Sequence, residues 1–93
     1  MKLNSNEIKL VGQWFYENGT IHKDDISKRI EWLINNQLEK IGVDQSGWDI
    51  LYIDPTDNRY WELTYPKSEM QGGGPPTLTL ISKEIANKRY SKA

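Results

Sequence analysis

Between Tyr60 and Leu78 an aromatic-rich segment, Tyr60-Trp61-Glu62-Leu63-Thr64-Tyr65, leads through a polar stretch into Gly72-Gly73-Gly74-Pro75-Pro76. Glycine widens the backbone's choice of conformation, whereas proline fixes φ and removes an N–H donor. Side by side they specify a bent path rather than a loose linker. One reading is a close crossing of chains where side chains would clash; the other is a rigid loop presented to a partner. A phosphate-cradling loop fits poorly, because Pro75 and Pro76 lack donors and no Lys-Ser/Thr pair follows.

The residues around this segment supply strands. Trp48 to Ile53 and Arg59 to Tyr65 are rich in β-formers, and Asp54-Pro55-Thr56-Asp57-Asn58 between them has turn composition. If Asp54 sits opposite Arg59, then Tyr52 faces Trp61, Ile50 faces Leu63 and Trp48 faces Tyr65. Period-two alternation gathers these six on one side, the expected core. The other side carries Asp49, Leu51, Ile53, Tyr60, Glu62 and Thr64. That mixture is too apolar for a solvated face and too polar for a sealed one, and it suits a partner surface. The turn lacks the ordered oxygen ligands, central Gly and closing Glu of a calcium loop.

Upstream, Val11 to Glu17 meets Asn18-Gly19, a dipeptide suited to a type I′ hairpin turn, before Thr20-Ile21-His22. Asp24 or Asp25 can cap a helix whose Ile26, Ile30, Leu33 and Ile34 fall on one face. Leu38 and Ile41 continue that face toward Gly42, but Asn35-Asn36 favours an earlier stop and a strand through Val43. Downstream, Thr77 to Ile81 reads as a last strand. Ser82 can then cap a helix with Ile85, Ala86 and Tyr90 on one side. The sum is an α+β fold: a small, mostly antiparallel sheet with one main helix packed on one face and a short C-terminal helix at its edge. With 93 residues the chain is expected to form a single domain, residues 1–93, with a core from about 10 to 90.

Charge and residue usage narrow the function. Twelve Lys+Arg against thirteen Asp+Glu give a net charge of -1, without the basic surplus of nucleic-acid binders. Trp14-Phe15-Tyr16 and Tyr60-Trp61 could stack bases, but a basic groove to track the backbone is not evident. There is no Cys, so a reducing compartment costs the fold nothing. Residues 1–7 are too polar for a secretory signal, and no apolar run approaches the ~20 residues of a membrane span. A cytoplasmic protein without membrane attachment is the expectation. His22 is the only histidine, which leaves no His pair for a metal and only a strained possibility of a nucleophilic triad. Carboxylates are numerous enough for a general acid/base pair, so a small carboxylate-dependent hydrolase is the alternative reading, with a nucleic-acid adaptor behind it. No metal or cofactor is expected.

Arg29-Ile30-Glu31-Trp32-Leu33, Ser46-Gly47-Trp48, Asp54-Pro55 and the Tyr60 to Leu78 segment together resemble the immunity protein 27 family of bacterial polymorphic toxin systems. The likeness runs from about Leu10 to about Tyr90. It implies an inhibitor that binds the toxic C-terminal domain of a cognate toxin and needs no catalysis of its own. Such a monomer would use an interface of about 1,600 Å² in total with a few aromatic or charged anchors. The anchors implied are Asp49, Tyr60 and Glu62 on the mixed face, and Glu69 with Gly72, Gly73, Gly74 and Pro75. Gln71 stands where the family favours His, so a role resting on that His would be absent here.

Overall fold

A computed structural model describes residues 2–67 and 73–90 of the chain. The strands are β1 (Lys9–Val11), β2 (Trp14–Glu17), β3 (Thr20–Lys23), β4 (Glu39–Val43), β5 (Ile50–Asp54), β6 (Arg59–Thr64) and β7 (Thr77–Ile81); the helices are α1 (Asp25–Asn36) and α2 (Lys83–Tyr90). Five strands form an antiparallel sheet in the order β1-β7-β6-β5-β4, while β2 and β3 form a separate hairpin. The architecture is the expected α+β one.

Turn chemistry sets the central register. Asp54 pairs with Arg59, Tyr52 with Trp61 and Ile50 with Leu63, as the alternation requires. The Asp54 carboxylate is buried, and its Oδ1 accepts from Thr56 N at 3.0 Å, Thr56 Oγ1 at 2.7 Å and Gln37 Nε2 at 3.0 Å. Burial opposes its ionisation, but those donors outweigh the penalty and hold the pKa below the usual carboxylate value.

Helix α1 begins where Asp24 accepts from Ser27 N at 2.7 Å, satisfying an orphan donor of the first turn. It stops at Asn36, and β4 follows at once, so the Asn-Asn pair does end the helix. Ile30 and Leu33 pack with Leu10, Leu38, Tyr52, Trp61, Leu63 and Leu78. Burying each large apolar side chain contributes about 1.5–3 kcal/mol, so a handful of them holds a small domain. Ile26 was expected on that face but is exposed; it lies only two residues past the cap, at the rim of the contact.

Two further expectations are corrected. Trp48 does not extend the Tyr52 side of the sheet: β5 begins at Ile50, and Trp48 lies in the preceding loop, 58% exposed. Helix α2 does not sit at the sheet's edge. Ala86 and Tyr90 pack on Leu51, with Tyr60 and Ile81 around them, so the helix covers much of the mixed face. Ser82 caps it, its Oγ accepting from Ile85 N at 3.1 Å.

Candidate functional site

The register sorts the connections to two ends of the sheet. At one end lie the Asp54–Asn58 turn, the N-terminal stretch and the start of α2. At the other lie the β4–β5 loop, the β6–β7 connection and the base of the β2–β3 hairpin, because β1 leaves the sheet where Val11 pairs with Thr77. These are called here the turn end and the loop end.

At the turn end the charged groups bond within the protein. Arg29 forms a two-point ion pair with Glu7, each contact 2.6 Å, and also donates to the Lys2 carbonyl at 2.7 Å. Arg59 donates to Asp57 at 2.6 Å and to the carbonyls of Asn4, Ser5 and Glu7, and its guanidinium lies 5.2 Å from the Trp61 ring centroid.

The loop end is built differently. Asp44 Oδ1 accepts from Ser46 Oγ at 2.7 Å, Gly47 N at 3.1 Å and Asp49 N at 3.3 Å, and Ser46 Oγ accepts from Trp48 N at 3.0 Å. The backbone closes the same loop through Asp44 N to the Asp49 carbonyl at 3.0 Å. The loop is therefore ordered by its own side chains before anything binds, and it projects an indole into solvent. Asp49 is half-buried beside it. Burial raises its pKa, and the negative charges of Asp44 and Glu62 raise it further.

Glu62 lies under α2 rather than on the surface. It is 4% exposed, accepts from the Tyr90 hydroxyl at 2.8 Å, and takes Arg89 Nη1 on both oxygens at 2.7 and 2.8 Å. Burial, then Glu62 itself, pushes the Tyr90 phenol far above its ordinary value, so this hydroxyl stays a donor. The Arg89 side chain remains 56% exposed. Glu62 thus holds the Arg89 side chain from below.

The hairpin forms the second half of the loop end. Asn18 and Gly19 both take positive φ, 54° and 77°, as the type I′ expectation requires. Pairing puts Trp14, Tyr16, Ile21 and Lys23 on one side, and Phe15 with His22 on the other, their rings stacked 5.4 Å apart. Trp14 and Lys23 line a cleft of about 320 Å³ with Ile30, Glu31, Ile34, Tyr65, Gly74 and Pro76. Lys23 and Glu31 form an ion pair across it. Burial and the nearby Glu31 charge raise the Tyr65 pKa. The indole Nε1 of Trp14 is buried with no acceptor among the described residues. Beyond the cleft, Tyr16 (70% exposed) and Ile21 carry the apolar strip outward.

The glycine-proline segment frames this cleft from below. Gly74 has φ +78°, and a Cβ there would run into the Lys67 carbonyl group, 2.9 Å from its carbon. Gly74, Pro75 and Pro76 are buried, and the Pro76 carbonyl accepts from Gly12 N at 2.9 Å, tying the hairpin base to β7. Here the segment is a close crossing of chains.

Of the residues singled out from sequence, the structure brings Asp49, Gly73, Gly74 and Pro75 to the loop end, with Glu62 below the surface. Tyr60 is not with them. It pairs with Ile53 and Ile81 near the turn end, in a shallow groove with Asn58, Arg59, Ser82 and Lys83. Glu69 and Gly72 lie outside the described residues. Sequence reasoning missed Trp48, Tyr16 and Arg89; the signal available for Trp48 was the Asp-x-Ser-Gly order of its loop, which favours a self-bonded turn over a strand.

Among the described residues no group of three or more His, Cys, Asp or Glu side chains converges to hold a metal ion, and no helix is long and apolar enough to cross a membrane. No curated protein and no solved structure matches the chain. A family model does: the one described as immunity protein 27 matches residues 16–82, spanning the hairpin turn, α1, the Trp48 loop and strands β4 to β7 of the central sheet.

Proposed function

The chain belongs to the immunity protein 27 family, and from that premise we propose that it acts in the cytoplasm by binding the toxic domain of a cognate toxin directly and holding it inactive. The observation that carries this reading is the family match joined to a loop end that exposes Trp48, Phe15, Tyr16 and Ile21, while at the turn end Arg29, Glu7 and Arg59 bond within the protein. Large exposed aromatics on ordered elements are the groups that anchor protein interfaces, because they bring apolar area at little entropic cost. Family membership supports a non-enzymatic role, and stoichiometric inhibition needs only such a surface.

Within that surface Asp49 and the backbone around Gly73 are contacts. Glu62 works from below by holding Arg89. Tyr60 opens on another part of the molecule, near the turn end, and stands outside this surface. The test is to co-express the chain with the toxic C-terminal domain encoded beside it, scoring cell survival and co-purification. Survival with a stable complex supports direct inhibition. Survival without a complex points to modification of the toxin or its target, and death of the cells with the encoded partner removes the reading.

A further inference from the structure

Four tryptophans serve the chain, and their fates differ: Trp61 is fully buried, Trp14 and Trp32 are partly buried, and Trp48 is mostly in solvent. A single exposed apolar residue is ordinary. An exposed indole held by a loop with six internal hydrogen bonds is not, because connecting segments are ordinarily the more mobile parts of a fold. Order ahead of binding removes part of the entropy that an interface must otherwise overcome.

The charges beside the indole select the partner. Asp44 and Asp49 stand in its own loop, and Glu62 lies within electrostatic reach of Asp49. Beside these three carboxylates lies Arg89, already turned onto Glu62. The carboxylates alone would be a solvated rim. Around an exposed indole they match a surface with an apolar pocket bordered by lysine or arginine. The half-buried Asp49, crowded by its own kind, gains most from a cation brought close.

Resting on the proposed function, we infer that the Asp44–Asp49 loop is the primary anchor for the toxin: Trp48 enters an apolar pocket while Asp44 and Asp49 meet a basic rim. Opposite charge of this kind speeds encounter, and the speeding weakens with salt.

The experiment measures association and dissociation of the purified toxic domain encoded beside this chain, using wild type, Trp48→Ala, Asp49→Asn and, at the turn end, Lys83→Ala, with thermal unfolding to confirm that each is folded. The expected result is a loss of about 30-fold or more in affinity for Trp48→Ala, seen in dissociation, as for an interface hot spot. For Asp49→Asn, slower association is expected, together with a wild-type association rate that falls as salt rises. Lys83→Ala should bind as wild type. Wild-type binding with Trp48→Ala unchanged would overturn the anchor, and an association rate indifferent to salt would overturn the basic rim. No wild-type binding at all would instead remove the proposed function, and the anchor with it.

Discussion

The two ends of the sheet solve different problems with the same kinds of residue. At the turn end, Asp54, Arg29, Glu7 and Arg59 spend their hydrogen bonds on the protein itself, and Trp61 is buried beneath a guanidinium. At the loop end, Asp44 spends its hydrogen bonds on shaping a loop, and Trp48, Phe15 and Tyr16 face outward. A carboxylate and an indole stabilise at one end and are presented at the other. The difference teaches that residue type does not assign the role; the direction of the hydrogen bonds does.

The comparison can be broken from the stability side first. Asp54→Ala leaves the Gln37 and Thr56 donors without their shared acceptor, so a loss of about 3 kcal/mol is expected by urea unfolding, in line with stranded buried donors. Toxin affinity of the molecules that remain folded should not change. Gly74→Ala tests whether the loop end has a structural pin of its own. Its positive φ and the Lys67 carbonyl predict a loss of about 2 kcal/mol. A stability equal to wild type would show that the chain crossing is not needed.

The Glu7–Arg29 pair supplies a pH test with a fixed sign. Glu7 is held at about 2 against an ordinary 4.5, first by the hydrogen bond from Arg29. A depressed carboxylate stabilises the fold above its unfolded value, so the contribution is present above about pH 4.5 and disappears as pH falls toward 2. Glu7→Gln should therefore be less stable than wild type by about 1 kcal/mol at neutral pH, discounted for partial exposure. The two proteins should converge near pH 2, read by unfolding at a series of pH values. Smallest of all is the effect of Trp48→Ala on stability, within about 0.5 kcal/mol for a surface side chain. A larger drop in unfolding midpoint would mean the indole is part of the core after all.

How legible this was in the sequence follows from where the deciding forces lie. The β5–β6 register was readable because Asp54-Pro55-Thr56-Asp57-Asn58 is a local turn, and the Asp24 cap and the Asn35-Asn36 stop are likewise decided within a few residues. The position of α2 was not readable. It depends on Tyr90 reaching Glu62, 28 residues away, so the face bearing Glu62 looked open when it is covered. Trp48 was misplaced because β-alternation was continued past the point where the Asp44 loop interrupts it. Family kinship was legible in Tyr60 to Leu78, but its most conspicuous part, the glycine-proline run, proved a chain crossing where it is described.

The most direct test of which end meets the toxin is an amide chemical-shift footprint of the isotope-labelled protein on adding the unlabelled toxic domain. The expected result is that amides of 44–49, 14–23 and 73–74 shift or broaden while 54–59 and 83–85 stay in place. Perturbation confined to the turn end, with the Trp48 loop unmoved, would contradict the division of labour between the two ends.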